Sequence, residues 1–222
     1  MTDALEIGSG NLHLVQGPEG LALVGDGMEL RGDFGHLLPR LKPGKLQREL
    51  LVRAAKVKGA GDVPFAVDAT AGLGEDSLLL AAAGFRVRLY ERDPIIAALL
   101  RDALCRAADM PQLAEAVGRM ELFESDSIEA LRELPQRPDV VLLDPMFPPR
   151  TKSASVKKKF QLLHMLEQPC EDEESLLQAA IDAGPRKVVV KRPAKGPFLA
   201  GVKPAYSLTG KAVRYDVLVF PR

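Results

Sequence analysis

From residue 64 onward, short apolar runs alternate with longer stretches of helical periodicity, and this alternation limits the possible folds more than any other feature of the chain. The predicted strands are residues 65–68, 87–90, 121–123, 140–143 and 188–190, and the predicted helices are residues 76–83, 95–108, 128–134 and 173–183. Such alternation is typical of a parallel sheet covered on both faces. Two final runs, 206–208 and 215–220, flank Thr209-Gly210-Lys211 and predict an antiparallel hairpin. The sequence therefore predicts an α/β fold with seven mostly parallel strands.

Residues 1–60 follow a different pattern. Apolar runs at 12–15 and 21–24 flank the turn-like segment Gly17-Pro18-Glu19-Gly20, which predicts a β-hairpin. Residues 40–58 are basic and carry apolar side chains at helical spacing, which predicts an amphipathic helix. Since 222 residues suffice for one substantial core, we expect an N-terminal extension over 1–60 and one main domain over 61–222.

Composition limits the setting in which the chain works. No apolar run approaches the roughly 20 residues of a membrane span, and the polar N-terminus lacks a signal-peptide pattern, so we expect a cytoplasmic protein. Cys105 and Cys170 lie far apart, without a CxxC motif, which predicts neither a disulfide framework nor a metal site. Basic and acidic residues both number 30, so any attraction to nucleic acid must be local.

A glycine-rich turn follows the first predicted strand of the main domain. The strand ends at Asp68, and Gly72 and Gly74 allow the backbone to approach a ligand closely, so we predict that Asp68, Gly72 and Gly74 bind the cofactor. The signal is weak alone, because such turns also serve to pack a helix against a sheet. Glu75 and Asp76 then open the helix; two acids disfavour a pyrophosphate and suit a ligand with a sulfonium and an amino group, such as S-adenosylmethionine.

Acidic residues also end the next two strands. Glu91, 17 residues after Gly74, can accept both ribose hydroxyls of a nucleoside. NAD enzymes share this arrangement, but the dinucleotide fingerprint requires a third glycine where Ser77 stands. Asp126 can accept from an adenine amine, and it can equally cap the helix that starts at Ile128. The two roles of Asp126 do not exclude each other.

The apolar strand 140–143 opens onto Asp144-Pro145-Met146-Phe147-Pro148-Pro149, which carries most of the chemical information in the chain. An exocyclic amine on a base is a poor nucleophile, because its lone pair is delocalised into the ring. The Asp144 carboxylate and a backbone carbonyl held rigid by Pro145 can accept both amine hydrogens, and Phe147 can stack on the base. The alternative is a proline-punctuated loop with Phe147 in the core.

The order of these features favours the functional interpretation. The glycine turn, Glu91, Asp126 and Asp144 each follow a successive predicted strand, so their side chains should converge on one crevice. Five basic residues and no acid lie between 150 and 159, and Lys191-Arg192 ends the next strand. Both basic groups would hold phosphates beside a base pocket, although solvated surface explains the run 150–159 equally well from pattern alone.

Four segments resemble the class I methyltransferases, and within them the ribosomal RNA small subunit methyltransferase J family. They are DATAGLG at 68–74, LYERDP at 89–94, LLDPMFPPR with KSASVKKK at 142–159, and VKRP at 190–193. The resemblance covers most of the chain from about residue 44 and implies methylation of a guanine N2 in 16S rRNA with S-adenosylmethionine. The cofactor contacts that it implies are Glu75, Asp76, Glu91, Arg92, Asp126, Ser127 and Asp144. Glu75 departs from the family pattern, in which a basic residue is expected.

Three alternatives stay open at this stage: an amine methyltransferase that acts on a DNA base or a protein amide, a NAD-dependent oxidoreductase, and a noncatalytic RNA-binding module. The three histidines, His13, His36 and His164, are isolated and are read as structural or surface residues, since amine methylation needs no histidine base. We further expect a monomer whose partner is small-subunit rRNA, either free or within a 30S particle.

Overall fold

The computed structural model describes residues 4–6, 12–59, 61–145, 162 and 172–221. Its strands are β1 Ala4–Glu6, β2 His13–Gly17, β3 Gly20–Gly25, β4 Met28–Arg31, β5 Phe65–Asp68, β6 Arg86–Glu91, β7 Met120–Glu124, β8 Val140–Leu143, β9 Lys187–Pro193, β10 Tyr206–Thr209 and β11 Val213–Val219. Its α-helices are α1 Leu38–Leu41, α2 Pro43–Leu46, α3 Leu50–Ala55, α4 Glu75–Ala82, α5 Pro94–Ala108, α6 Ala114–Val117, α7 Ser127–Arg132 and α8 Glu173–Asp182, with 3₁₀ turns at Gly35–Leu37 and Leu199–Gly201.

The main sheet has seven strands in the order β10-β11-β9-β8-β5-β6-β7. The pairs from β9 to β7 are parallel, whereas β11 runs antiparallel to both β9 and β10. This confirms the predicted α/β class, including the antiparallel hairpin at the end of the chain. The chain leaves β5 towards β6 on one side and later returns to its other side with β8. Ligands bind at such a reversal, beyond the carboxyl ends of the strands.

Helices cover both faces of this sheet. Strands β5 and β8 are buried along their whole length, because each is an apolar run with a helical layer on either side. One layer contains α3, α4 and α6, whose buried side chains share a core with those of β6. The other contains α7 and α8, packed on the opposite side chains of β5 and β8. Within the described part of the chain, no helix has the length and apolar character needed to cross a bilayer.

A separate antiparallel sheet forms near the N-terminus, with the strand order β1-β2-β3-β4. Strands β2 and β3 are the hairpin expected there, joined through the turn in which Gly17 pairs with Gly20, and β1 and β4 extend it. Leu23 and Leu30 from this sheet share a buried cluster with Leu99 of α5. The small sheet therefore packs directly on the main domain. The division of the chain at residue 60 stays a prediction.

The single helix predicted over residues 40–58 is wrong, since three short helices occupy this region. The first break is at Lys42, whose φ of −55° and ψ of 132° are extended, because the ring of Pro43 disfavours the helical conformation in the preceding residue. The second break is at Glu49, which is also extended (φ −58°, ψ 132°). Glu49 instead accepts two hydrogen bonds from Arg40, at 2.9 and 2.8 Å, which fold the segment back on itself.

Candidate functional site

The carboxyl ends of four neighbouring strands are joined by backbone hydrogen bonds. The Ala69 amide, after β5, donates to the Leu142 carbonyl of β8 at 3.0 Å, and the Ala71 amide donates to the Tyr90 carbonyl of β6 at 3.1 Å. The Ser125 amide, after β7, donates to the Glu91 carbonyl at 3.0 Å. The loops that carry the predicted site residues are therefore adjacent, as the order of the motifs indicated.

Glu91 and Gly72 form the centre of this edge. The amides of Gly72 and Asp93 each donate to one carboxylate oxygen of Glu91, both at 2.9 Å. Burial raises the pKa of Glu91, and these two amides oppose the rise. Each oxygen keeps a further lone pair with which to accept a ligand hydroxyl. Gly72 has a φ of +53°, and a Cβ built there would meet no atom within 4 Å apart from its chain neighbours, so open space lies beside this turn residue, whose amide contacts the carboxylate.

Gly74 has a different reason to be glycine. A Cβ at this position would lie 2.7 Å from Leu100 Cδ1 and 3.4 Å from Phe34 Cζ, and the φ of +74° is left-handed. The missing side chain makes room for α5 and for the N-terminal segment at the start of α4. The turn thus combines both uses considered for it, with space for a ligand at Gly72 and close packing at Gly74. Contact between the Gly74 backbone and a cofactor stays a prediction.

Asp68 supports the turn from inside the protein. It is 2% exposed, and its carboxylate accepts from the Ser77 hydroxyl at 2.6 Å and from the Thr70 amide at 3.1 Å. Burial raises the pKa of Asp68 to about 7, although both hydrogen bonds favour the ionised form. Ser77, which replaces the third glycine of a dinucleotide fingerprint, is fully buried by this contact. A direct cofactor contact for Asp68 stays a prediction.

Lys191 joins two of the predicted acids. Its ammonium group lies 2.7 Å from Asp144 Oδ2 and 2.8 Å from Asp76 Oδ2. Burial lowers the pKa of Lys191, but the carboxylates of Asp144 and Asp76 outweigh it and raise the pKa overall, so the lysine is charged. Burial raises the pKa of Asp144, the Lys191 ammonium opposes this, and Asp76 adds to the rise. The Asp144 side chain is thereby held beside the first turn of α4.

Thr70 is bonded to this cluster, and Tyr215 lies beside it. The hydroxyl of Thr70 accepts a hydrogen bond of 2.6 Å from the Asp144 amide, which ties the end of β8 to the glycine turn. Tyr215 lies opposite Lys191 in the register of β11 and β9 and is 5% exposed. Burial and the neighbouring Asp76 carboxylate raise the pKa of Tyr215, so the phenol is neutral.

The remaining predicted residues lie around the same edge. Asp126 caps α7 by accepting from the Ile128 amide at 2.8 Å, and it is half-buried together with Ser127. Arg92 is exposed and Pro145 is buried. Glu75 Oε1 lies 3.4 Å from His36 Nε2, so the N-terminal segment reaches the start of α4. Phe147 and the basic run 150–159 lie outside the described residues.

The interpretation of Lys191-Arg192 as a phosphate contact needs correction. Lys191 is occupied by two carboxylates. Arg192 is 1% exposed, and its guanidinium donates to the Pro197 carbonyl at 3.0 Å and to Glu173 at 3.2 Å. Lys191, Thr70 and Tyr215 are the site residues whose part in the site the sequence analysis missed. The position of Lys191 near the end of β9 predicted that it lies at the sheet edge that carries the site, but no local sequence pattern indicated its partners.

The charges and the open space at this edge are compatible with S-adenosylmethionine. Gly72 leaves room beside Glu91, whose carboxylate can accept ribose hydroxyls, and Asp126 follows the neighbouring strand end, which is linked to Glu91 through the Ser125 amide. The acids of the α4 first turn suit a cationic ligand. No group of three or more potential metal-ligating side chains occurs among the residues that the structure describes.

Comparison with known proteins gives a consistent result. A family model for SAM-dependent methyltransferases matches residues 12–220. A ribosomal RNA small subunit methyltransferase J of Nitrosococcus oceani is 41% identical, over 98% of this chain and 87% of the relative. The protein of the same name from Thioalkalivibrio sulfidiphilus is 47% identical, over 85% of this chain and 73% of the relative.

Solved structures agree with this result. The crystal structure of a SAM-dependent methyltransferase from Neisseria gonorrhoeae has a TM-score of 0.76 and 32% identity, and the match covers 96% of this chain and 85% of that one. An rRNA methyltransferase from Streptomyces viridochromogenes is similar in fold alone, with a TM-score of 0.52, 19% identity, and coverage of 80% and 85%.

Proposed function

Because the chain belongs to the ribosomal RNA small subunit methyltransferase J family of SAM-dependent methyltransferases, we propose that it methylates the N2 amine of a guanine in 16S rRNA. The observation that carries the proposal is the position of Asp144. Its carboxylate lies at the end of β8, at the same sheet edge as Gly72 and Glu91. Lys191 donates to this carboxylate and also to that of Asp76.

Several residues would hold the cofactor in this crevice. Glu91 would accept the ribose hydroxyls, Asp126 and Ser127 would lie towards the adenine, and Glu75 and Asp76 would face the amino group. Arg92 would border the ribose side. When bound, S-adenosylmethionine supplies an electrophilic methyl group on a sulfonium. The protein contributes chiefly orientation, because a correctly placed pair of reactants lowers the barrier without a strong base.

Asp144 would orient the target amine. Its Oδ2 accepts from Lys191, so Oδ1 would be the oxygen that accepts from an incoming N–H, and the backbone carbonyl next to Pro145 would accept the second hydrogen. Both acceptors return electron density to the amine nitrogen. Methyl transfer from the sulfonium would leave a positive charge on the amine nitrogen, and Asp144 or water would accept the surplus proton. Phe147 would stack on the base.

The experiment that tests this role replaces Asp144 with Asn. We expect methyl transfer to fall by about 10²-fold or more, because the amine loses its charged acceptor, while S-adenosylmethionine binding measured by calorimetry changes little. Asp182→Asn is the matched control, since Asp182 is exposed at the end of α8, away from the strand ends that carry the site. A fully active Asp144→Asn enzyme would refute the role.

The substrate itself is tested with rRNA, DNA and protein from cells that lack the gene. Labelled methyl from S-adenosylmethionine should enter small-subunit rRNA, and mass spectrometry of the digested nucleosides should find N2-methylguanosine. Label in DNA or in protein amides would show that the substrate is an amine other than that of an rRNA guanine. We further propose that the protein acts as a cytoplasmic monomer, on free rRNA or a 30S particle, and assays with both substrates separate the two.

A further inference from the structure

The segment 194–203 follows β9 at the same sheet edge as the site. Lys191, three residues before it, contacts Asp144, so the segment begins three residues beyond a direct partner of the residue proposed to orient the target amine. It runs across the first turn of α8, where Leu199 is buried in the core. Despite its position between two strands, it contains only one turn of 3₁₀ helix, Leu199–Gly201.

Two buried arginines fix the first half of this segment. Arg214, on β11, donates to the carbonyls of Ala194 at 3.2 Å, Gly196 at 2.8 Å and Pro197 at 3.3 Å. Arg192 donates to the Pro197 carbonyl at 3.0 Å. Burying a guanidinium is costly unless its hydrogens find acceptors, and here the backbone of the loop supplies many of them. The loop conformation is therefore tied to the core.

Glu173, at the start of α8, fixes the second half. One carboxylate oxygen lies 3.2 Å from Arg192 Nη1, and the other accepts from the Ala200 amide at 3.2 Å. Ala200 has a φ of +47°, a left-handed conformation that is uncommon for a residue with a side chain. Such conformations persist where the surroundings determine them, and they cluster at functional sites.

This ordered segment displays a cationic and aromatic surface. Phe198 is 37% exposed, and Val202 is 41% exposed. The Arg214 guanidinium lies 4.9 Å from the centre of the Phe198 ring, so a cation packs on this ring while Phe198 as a whole stays partly exposed. Residues 194–212 contain three lysines and no acid, in a chain of zero net charge. Lys195 and Lys203 are both exposed.

We propose that the segment 194–203 is an RNA-binding surface that holds the strand next to the target nucleotide. Phe198 stacks on a neighbouring base, and Lys195 and Lys203 contact phosphates. An aromatic face flanked by cations suits single-stranded nucleic acid, since stacking and phosphate contacts together hold an unpaired strand. The inference rests on the proposed function, because it takes the substrate of the crevice to be RNA.

The absence of tryptophan from the chain allows a direct test. In Phe198→Trp, the only indole of the protein stands at the proposed stacking position. We expect its fluorescence to be quenched when unmodified small-subunit rRNA binds. Val219→Trp is the control, because Val219 is exposed at 48% and pairs with Lys187 at the opposite edge of the sheet. Equal quenching in both variants, or none in Phe198→Trp, would overturn the proposed stacking.

The lysines give an independent test. The double variant Lys195→Ala, Lys203→Ala should bind the rRNA about tenfold more weakly, and the slope of log affinity against log salt should fall by about 1.4, as for two phosphate contacts on a single strand. Lys58→Ala is the matched control, because Lys58 is exposed before the amino end of β5. Affinity for S-adenosylmethionine should stay unchanged in every variant.

The outcomes separate this inference from the proposed function. If the wild-type enzyme methylates no rRNA, the proposed function is refuted. If the wild type is active but the Phe198 and lysine variants bind naked rRNA normally, only the proposed RNA-binding surface is refuted. If those variants bind naked rRNA normally but lose the 30S particle, the surface contacts a protein, and the proposal is wrong.

Discussion

A single lysine holds two acids of the site in a fixed relation. With Lys191 charged and both Asp76 and Asp144 ionised, the three side chains carry one net negative charge. The side chains of Lys191 and Asp76 are 27% and 16% exposed, so solvent screens their attraction only in part. Under the proposed function Lys191 is a positioning residue, because it would reach the target amine only through Asp144.

We predict that Lys191→Met shifts the acid limb of the pH profile of kcat to higher pH. Activity requires ionised Asp144, and loss of the ammonium removes the main influence that lowers the pKa of Asp144, so the carboxyl stays protonated to higher pH. Stability should also fall by about 1–3 kcal/mol, less than for a fully buried pair, and chiefly at neutral pH and above, where both carboxylates are ionised. The measurements are initial rates and thermal unfolding across pH.

Lys191→Arg is the control for this experiment, since it keeps the cation and should restore most of the wild-type pH profile. Among the residues that the structure describes, charged or titratable groups near the cluster include Arg40, Asp68, Glu75, Arg192 and Tyr215. They are unchanged in both variants. A Lys191→Met enzyme with the wild-type acid limb would show that Lys191 has no influence on Asp144.

At the scale of elements, the two glycines of the turn between β5 and α4 have different roles, space for a ligand at Gly72 and close packing at Gly74. Both Gly72 and Gly74 have positive φ values, so an alanine at either position carries similar backbone strain, of about 1–2 kcal/mol. They differ in surroundings. A Cβ at Gly74 would meet the buried Leu100, whereas one at Gly72 would enter open space.

We predict that Gly74→Ala lowers the free energy of unfolding by about 1–3 kcal/mol more than Gly72→Ala, because overpacking adds to the strain. Gly72→Ala should instead weaken S-adenosylmethionine binding more, since its methyl group occupies the space beside Glu91. Urea denaturation and calorimetry measure the two effects, and each variant is the control of the other. A reversed order of stabilities would contradict the packing role of Gly74.

For the whole molecule, the close packing against α5 attaches the N-terminal sheet to the main domain. A Cβ at Gly32 would lie 2.8 Å from Ala103 Cβ and 2.9 Å from the Leu99 carbonyl oxygen. Arg106 of α5 donates to the Gly32 carbonyl and pairs with Asp102 at 2.8 Å. Since the contact is partly with backbone, no side-chain rotation relieves a clash there.

We predict that Gly32→Ala loosens the small sheet as a unit. Stability should fall by about 1–3 kcal/mol, and hydrogen exchange should accelerate in β2 to β4 more than in β5 and β8. Gly44→Ala is the control, because a Cβ there meets nothing within 4 Å and Gly44 has no positive φ. Uniform acceleration across both sheets would instead show that residues 12–59 and the main domain unfold together.

Local periodicity was enough to place the strands of the main sheet and hence the edge at which the site lies. The predicted limits of β5 and β8 match the structure, because a strand buried on both faces is a short continuous apolar run. The positions of the glycine turn, Glu91, Asp126 and Asp144 at strand ends followed from the same pattern. Strands β1 and β4 were missed, because they are short and pair only within the small sheet.

Tertiary structure alone decided which side chains meet at that edge. Lys191 is 115 residues from Asp76 and 47 from Asp144, and no local pattern encodes contacts across such separations. Likewise, an arginine at position 192 is expected to be exposed, yet the packing of α8 and β11 buries Arg192. Its guanidinium instead helps to fix the segment 194–203. Sequence periodicity specifies where each strand ends. Which strand ends become neighbours depends on the order of strands in the sheet, and that order is not local, because it depends on the burial of all elements at once.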